Sequence, residues 1–241
     1  MSEAVPTTRT GQVRDLVGSA HPKQAVFLAV LLGVLAAVDG RPQREYLVSA
    51  AAVLVVQLSL GLSNDLSDQG HDYRAQVPGK PIAAGTLAAS KASYWMMVLV
   101  LLSVPLAVQS GSVAGIALLA TLPIGWVHNR WLHRTAFSWL GWTLSAALLP
   151  AFLSYGGWAG GRHGDPPTLA VTGAAAAVGL CLHFVTTLGD LVDDNKSGAR
   201  NLPLRLALRI GAPRLLVVTI LLTTLAVAGL VAASLTAGLR Q

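Results

Sequence analysis

The stretch of residues 46–72 reads YLVSAAAVLVVQLSLGLSNDLSDQGHD, an apolar run followed by a polar segment. Its first part, 46–63, is apolar apart from a few small or neutral polar residues and contains no charge. A membrane-spanning helix needs about 20 mostly apolar residues, with roughly 17–25 tolerated. The second part, 64–72, is mostly polar and holds three aspartates. The stretch therefore predicts a membrane-spanning helix with a carboxylate cluster at its end.

The composition of the whole chain agrees with this reading. Of 241 residues, 53% are hydrophobic and 12% are charged, whereas soluble domains carry about 25% charged residues. This excludes a soluble enzyme and a disordered protein and predicts an integral membrane protein. The single Cys181 excludes a disulfide framework and a cysteine metal cluster. The net charge of +6 does not indicate nucleic acid as a partner, because the basic residues lie in short loops where they set orientation.

Seven apolar runs are candidate spans in a lipid bilayer. They lie at about 24–39, 46–63, 91–109, 112–128, 136–155, 168–189 and 213–236. No alternation typical of a β-barrel is visible, so the spans are predicted to be helices. The predicted fold is an all-α, polytopic transmembrane helical bundle. Residues 1–22 form a polar N-terminal segment without the features of a signal peptide, and 23–241 form a single transmembrane domain.

The loops differ in their content of Lys and Arg. Thirteen of these residues fall on the side of the N-terminus, and four (Arg41, Arg44, Arg162 and Arg240) fall on the opposite side. The positive-inside rule therefore predicts a cytoplasmic N-terminus in the cytoplasmic membrane. The two long polar segments, 64–90 and 190–212, lie on that same side. We expect the active site at the cytoplasmic ends of the helices.

The first carboxylate cluster comprises Asp65, Asp68 and Asp72. Their spacing of i, i+3 and i+7 places them on one face of a helix. Three like charges repel one another, and their desolvation at the membrane boundary is costly. This cost indicates that a cation binds to the three carboxylates. The alternative is a helix end that is exposed to water and carries acidic residues without binding anything. Hard oxygen ligands without Cys or a paired His favour Mg²⁺, which also takes phosphate oxygens and water.

The second carboxylate cluster follows the sixth predicted span. Asp190 and Asp194 are spaced i, i+4, with Asp193 close by. Because four spans separate the clusters, both are expected on the same side, facing each other across the bundle. Two or more Mg²⁺ ions could then hold a diphosphate, so that an allylic C–O bond ionises above an apolar pocket. Basic residues in the same loops, and in the loop between them, could contact diphosphate oxygens. Those in the same loops are Arg74, Lys80, Lys196 and Arg200, and those in the loop between are Arg130 and Arg134.

Three motifs resemble the UbiA superfamily of intramembrane prenyltransferases, whose first signature is N-D-x-x-D-x-x-x-D followed by R/K-P-[LI]-x-x-G. The matching residues here are Asn64 to Asp72 and Lys80 to Gly85. The stretch from Asp190 to Arg205 is similar to the second signature, D-x-x-D-x-x-x-D-x-x-x-G-x-x-T-L-x-x-R. The stretch 128–135, HNRWLHRT, is similar to the family's Y-N-x-x-L-K-R-T segment.

The resemblance implies roles for individual residues and a family norm of nine helices. It implies Mg²⁺ ligation by Asn64, Asp65, Asp68, Asp72, Asp190 and Asp194, and diphosphate contact by Lys80 or Arg134. Thr187 departs from the pattern because the family often has Asp or Asn there. His128 and His133 replace the usual Tyr and Lys, and Asn201 replaces a common Thr.

We expect Asp65, Asp68, Asp190, Asp194 and Lys80 to carry the catalysis, with Arg74, Lys80, Arg134 and Lys196 binding the diphosphate. Other polar residues could line the pocket, namely Gln57, Asn129 and His183. The alternative for His183 is a hydrogen bond that packs two helices together.

Three functions are compatible with the sequence. The first is Mg²⁺-dependent transfer of a prenyl group, from a C10–C20 or longer prenyl diphosphate, to a small acceptor, for which we expect an aromatic compound. The second is a terpene cyclase that closes the same cation on itself without an acceptor. The third is a transporter or lipid-binding protein, which the helix-end position of the carboxylates disfavours.

Overall fold

The computed structural model describes residues 8–156 and 165–237. The described residues form twelve α-helices and one π-helical turn, His128–Leu132. The α-helices are α1 Arg9–Ser19, α2 Pro22–Val38, α3 Gln43–Ala75, α4 Pro81–Ala84, α5 Ala89–Val108, α6 Ser112–Leu119, α7 Thr121–Val127, α8 Trp139–Ser154, α9 Leu169–Thr187, α10 Leu191–Lys196, α11 Leu202–Ile210 and α12 Ala212–Thr236. The predicted all-α class is confirmed. Residues 1–7 of the predicted N-terminal segment, together with Arg162 and Arg240, lie outside the described residues.

The chain divides into two compact units, Met1–Gln109 and Ser110–Gln241. In the first unit, α2 and α5 both pack along α3. In the second unit, α9 packs against α8 and α12, and α6 packs against α8. The carboxylates of the first signature belong to the first unit, and those of the second signature belong to the second unit. The predicted boundary between residues 22 and 23 stays a prediction.

Five helical segments are long and apolar enough to cross a membrane within the described ranges. They are Gln43–Ala75, Ala89–Val108, Ser112–Leu132, Leu169–Thr187 and Ala212–Thr236. A sixth arises if α1 and α2, which meet at 57°, count as one span. Helix α8 has only 16 residues, fewer than the roughly 17 that a span needs. The predicted number of seven is therefore not confirmed, although every predicted run contains a helix.

Helix α3 is longer than its apolar run predicts. We expected the second span to end at residue 63, but the helix continues to Ala75 without a break. It ends where Gln76 adopts a left-handed conformation with φ +52°, and the N–H groups of Gln76 and Val77 bond back to the carbonyls of Tyr73 and Asp72. Pro78 follows and cannot continue a helix. The carboxylates therefore lie on the helix itself.

The sixth predicted span ends earlier than expected. Helix α9 stops at Thr187, and the hydroxyl of Thr187 donates to the carbonyl of His183 over 2.8 Å. A tight turn closes when the N–H of Asp190 donates to the carbonyl of Thr187 over 3.0 Å. Such local bonds by Thr compete with helix propagation, and Gly189 within the turn favours the break. Asp190 therefore precedes α10 instead of ending α9.

Candidate active site

The first carboxylate cluster occupies the end of α3. Asn64, Asp65, Asp68 and Asp72 all fall within this unbroken helix, so the predicted common face is realised for the three aspartates. Asp65 is 3% exposed and Asp72 is 7% exposed, whereas Asn64 and Asp68 are half-buried. A buried carboxylate is costly unless it is paired. The partners of Asp65 and Asp72 therefore decide what this face can do.

Asp65 has two partners on one carboxylate oxygen. Lys80 Nζ donates to Asp65 Oδ1 over 2.6 Å, and His21 Nε2 lies 3.0 Å from the same oxygen. The bond from Lys80 joins a charged donor to a charged acceptor, and short bonds of that kind are the strong ones in proteins. The structure thus brings Lys80 to Asp65, two residues that sequence analysis had placed in one site. It also adds His21, which sequence analysis missed.

His21 reaches Asp65 because the backbone bends at this residue. It links α1 to α2 in a left-handed conformation with φ +51°. The carbonyl of Ala20 lies so close to α3 that a Cβ on Gly61 would collide with it. Gly61 is one helical turn before Asp65, on the same face of α3. The close approach of the backbone to Gly61 therefore brings the His21 side chain to the carboxylate of Asp65.

Lys80 is held by a turn and a short buried helix. Gly79 adopts φ +77°, which is a conformation that residues with a Cβ rarely take. Lys80 then precedes α4, and Pro81 occupies the first helical position. Ile82 and Leu87 are 2% and 1% exposed and form a small core with Ala92. This core fixes the backbone of Lys80 beside the end of α3.

The ammonium group of Lys80 lies between two carboxylates. Its Nζ is 2.6 Å from Asp65 Oδ1 and 3.8 Å from Asp72 Oδ2. Burial acts to lower the pKa of Lys80, but the hydrogen bond that Lys80 donates to Asp65 and the charges of Asp65, Asp72 and Asp68 outweigh it. The pKa of Lys80 therefore stands above its ordinary value of 10.5. Lys80 is a cation throughout the neutral pH range.

The donor set at the end of α3 fits a magnesium ion. Asp72 Oδ2 is buried and has no hydrogen-bond partner among the described residues, so this oxygen can accept a further cation. No three His, Cys, Asp or Glu side chains in the described ranges form a ready-made metal site. Mg²⁺ is usually held by one or two carboxylates together with phosphate oxygens and water. Asp65 and Asp72 supply a carboxylate pair of that kind.

Two further predicted residues lie on α3. Arg74 is exposed in the last turn of the helix, where its guanidinium is open to an anion. Gln57 is half-buried and precedes Asn64 by two helical turns. Their predicted contacts, with diphosphate for Arg74 and with the pocket for Gln57, stay predictions.

The second carboxylate cluster spans the start and the middle of α10. Asp190 is exposed and directly precedes the helix, and Asp194 is half-buried within it. Asp193 is exposed and pairs with Lys196 at 3.4 Å. This pair is formed by side chains that are 64% and 73% exposed, so water screens most of its attraction. The predicted contact of Lys196 with diphosphate requires the lysine to leave Asp193.

Asp194 is held by a neutral amide. Asn201 Nδ2 donates to Asp194 Oδ2 over 2.6 Å, and Asn201 Oδ1 accepts from the N–H of Leu204 over 2.9 Å. Asn201 is 2% exposed and acts as the N-cap of α11. The side chain of Asn201 therefore both orients the carboxylate of Asp194 and caps the start of the next helix. Sequence analysis noted Asn201 only as a departure from the family pattern.

A buried serine anchors the start of α11. Ser138 Oγ accepts from the N–H of Leu202 over 3.2 Å and lies 2.8 Å from His183 Nε2. Ser138 is 0% exposed and His183 is 3% exposed. His183 also packs against the rings of Trp142 and His128. These contacts are of the kind expected for a packing role, and the choice between packing and lining the pocket stays a prediction.

Arg134 stabilises the turn after α10 through two hydrogen bonds. Its Nη2 donates to the carbonyl of Ser197 over 2.9 Å, and its own carbonyl accepts from the N–H of Arg200 over 2.8 Å. The predicted diphosphate ligand therefore lies beside the second signature, with one guanidinium edge already bound to backbone. Asn129, a predicted pocket residue, is 8% exposed within the π-helical turn.

The fold is shared with solved structures. A UbiA homolog from Archaeoglobus fulgidus bound to GPP and Mg²⁺ matches with a TM-score of 0.69 and 18% identity, over 89% of this chain and 76% of that one. A structure of the same name bound to DMAPP and Mg²⁺ matches with a TM-score of 0.68 and 17% identity, at the same coverage. A digeranylgeranylglyceryl phosphate synthase structure matches with a TM-score of 0.63 and 17% identity, over 94% of this chain and 79% of that one.

Sequence comparison gives the family. Digeranylgeranylglyceryl phosphate synthase of Methanospirillum hungatei is 27% identical over 193 residues, which is 78% of this chain and 67% of that protein. The model of the UbiA prenyltransferase family matches residues 25–240. This range includes both carboxylate clusters and Lys80. The chain therefore belongs to the UbiA prenyltransferase family.

Proposed function

We propose that this protein is a Mg²⁺-dependent membrane enzyme that ionises a prenyl diphosphate and transfers the prenyl group to a small acceptor. The observation that carries the proposal is the buried Asp65–Lys80 pair, with the second carboxylate Asp72 at 3.8 Å from the same ammonium group. Such a costly arrangement within an apolar protein is typical of a functional site. The solved neighbours bound to GPP or DMAPP with Mg²⁺ support the same ligand class.

The proposed roles follow from charge and position. Bound Mg²⁺ would neutralise negative charge that develops on the departing diphosphate. On α3, Asp65, Asp68 and Asp72 would hold the metal with Asn64 beside them. Arg74 at the end of α3 and Lys80 before α4 would contact the diphosphate. Near α10, Asp190 and Asp194 would hold metal, and Arg134 and Lys196 would contact diphosphate. The apolar faces of the spanning helices would exclude water from the prenyl cation.

The acceptor has two candidate classes. An aromatic acceptor is the expectation from the sequence. The name of the Methanospirillum hungatei relative specifies a glyceryl phosphate product, so an ether-linked glyceryl phosphate is the second candidate. An aromatic acceptor offers a hydroxyl or an electron-rich ring carbon and the glyceryl phosphate offers a hydroxyl, so both classes supply a nucleophile for the prenyl cation.

The test uses purified protein in lipid nanodiscs with Mg²⁺ and geranyl, farnesyl or geranylgeranyl diphosphate. Released pyrophosphate and organic products are measured without an acceptor, with an aromatic acid, and with geranylgeranylglyceryl phosphate. We expect product only when an acceptor is present, and none after EDTA. A cyclic hydrocarbon formed without acceptor would identify the cyclase alternative instead. Lys91→Met serves as the matched control for variants of the site, because Lys91 bonds Gln12 at 2.6 Å and contacts none of the carboxylates.

We also propose that the N-terminus and the site face the cytoplasm. Ser90 follows the site loop and Gln43 begins α3, and both are exposed. In a Cys181→Ala background, Ser90→Cys should be protected from a membrane-impermeant maleimide in intact cells, whereas Gln43→Cys should be labelled. The reverse pattern would contradict this orientation.

A further inference from the structure

The ammonium group of Lys80 occupies the place of a cation in the first carboxylate cluster. We propose that Lys80 neutralises this cluster in the ligand-free protein and exchanges the carboxylates for the diphosphate when substrate binds, so that the cluster takes up its metal only together with a diphosphate. This inference rests on the proposed function and assigns an order of binding to its site.

Charge balance supports the exchange. Asp65 Oδ1 is 2.6 Å and Asp72 Oδ2 is 3.8 Å from Lys80 Nζ, so a metal ion bridging these oxygens must displace the ammonium. Displacement by metal alone would leave a largely buried cation beside a second cation, which is costly. A diphosphate removes this cost because it offers Lys80 new anionic oxygens. Metal and diphosphate therefore favour each other's binding, and the coupling is reciprocal.

The two partners of Asp65 differ in their freedom to move. Lys80 follows the turn at Gly79 and carries its charge on a flexible four-carbon side chain, which is 22% exposed. His21 has a short side chain and lies at the backbone bend between α1 and α2. The carbonyl of the preceding residue, Ala20, packs against Gly61. Lys80 can therefore swing to a substrate while His21 keeps Asp65 in place.

The experiment is an equilibrium-dialysis measurement of protein-bound Mn²⁺, used as a probe for Mg²⁺, with and without inorganic pyrophosphate. It compares the full-length wild type with Lys80→Met, Lys80→Arg and the control Lys91→Met. Dialysis counts only metal retained with the protein, so binding is read without any activity. Circular dichroism verifies that each variant is folded.

We expect wild type to bind Mn²⁺ weakly alone and at least about tenfold more tightly with pyrophosphate, the scale of one charge-assisted bond. Lys80→Met should bind Mn²⁺ about tenfold more tightly than wild type without pyrophosphate, and pyrophosphate should add little. Lys80→Arg and Lys91→Met should bind like wild type, because each keeps a cation at the cluster.

Different failures identify different errors. If Lys80→Met and wild type bind Mn²⁺ equally without pyrophosphate, while pyrophosphate still promotes binding, the exchange is wrong and the proposed function stands. If pyrophosphate promotes binding in neither protein, both the exchange and the proposed function are wrong. Should Lys80→Met fail to fold, the wild-type titration alone decides, since tight Mn²⁺ binding without pyrophosphate contradicts the exchange.

Discussion

The two carboxylate clusters are built in opposite ways. Asp65 lies on a continuous helix of 33 residues and is bound by an ammonium group and an imidazole. Asp194 lies on a helix of six residues that follows a break in the chain, and it is bound by the neutral amide of Asn201. Asp65 therefore has a charged partner on a long continuous helix, whereas Asp194 is positioned by an amide within a frame of loops and caps.

This difference separates charge compensation from positioning. A neutral amide orients a carboxylate but leaves its full negative charge for another cation, whereas an ammonium group cancels that charge until it is withdrawn. We infer that the first cluster is closed to metal in the ligand-free protein, whereas Asn201 sets the position of Asp194 in the second. Four substitutions test this contrast.

Asp65→Asn should reduce turnover by about a thousandfold or more. The amide keeps the shape of the side chain but removes the charge that would hold metal against the diphosphate, and losses of this scale follow removal of one such electrostatic group. Initial rates of pyrophosphate release measure the effect, and Lys91→Met should retain wild-type rates. Turnover within a factor of three of wild type would remove Asp65 from the catalytic residues.

Gly61→Ala should destabilise the first unit by about 3 kcal/mol, because its new Cβ collides with the backbone of Ala20. It should also separate His21 from Asp65. Gly70→Ala on the same helix is the matched control, since its Cβ would meet only the end of the Arg74 side chain at 3.8 Å. Thermal unfolding in detergent compares the two variants. If Gly61→Ala and Gly70→Ala melt at the same temperature, the backbone bend at His21 does not hold Asp65 in place.

Asn201→Ala should destabilise the second unit by about 2 kcal/mol, through loss of the α11 cap and of the bond to Asp194. Asn201→Asp is the informative partner variant, because it keeps an N-cap acceptor but places a like charge against Asp194. If Asn201 only caps the helix, Asn201→Asp should melt like wild type. If it also positions Asp194, that variant should need more Mg²⁺ for half-maximal turnover.

Asp193→Ala should change the melting temperature least, with an effect on unfolding below about 0.5 kcal/mol. Its pair with Lys196 is exposed and screened by water. The informative readout is the KM for prenyl diphosphate, which should fall if releasing Lys196 frees it to contact the substrate. An unchanged KM would argue that Lys196 does not take part in binding.

Much of the first unit was predictable from the sequence. The apolar run before Asn64 and the spacing of Asp65, Asp68 and Asp72 depend only on hydropathy and helical periodicity. The end of α3 was not predictable from hydropathy, because 64–75 are polar yet remain helical until the turn at Gln76. Sequence alone also hides His21, which is 44 residues from Asp65 and arrives through a backbone corner whose φ cannot be read from residue types.

The second unit was less predictable because local hydrogen bonds determine where its helices end and which polar residues meet. The break after Thr187 depends on hydroxyl groups that bond to the carbonyl of His183, and no proline marks it. Asn201 lies seven residues from Asp194 and meets it only because the chain turns back at Gly198, with φ +74°. Short polar segments of this kind carry no periodic pattern from which such a meeting could be derived.

The length of α3 makes the position of the first carboxylate cluster depend on the thickness of the bilayer. Its 33 residues extend about 50 Å at 1.5 Å per residue, whereas the hydrocarbon layer is about 30 Å thick. If Gln43 lies at one surface, the hydrocarbon ends near residue 63, and we expect the carboxylates to lie in the hydrated headgroup layer. Thicker bilayers would draw Asp65 towards hydrocarbon and force the helices to tilt less or the lipid to thin. The acyl-chain length of the surrounding lipid should therefore tune the activity of this protein without any change in its sequence.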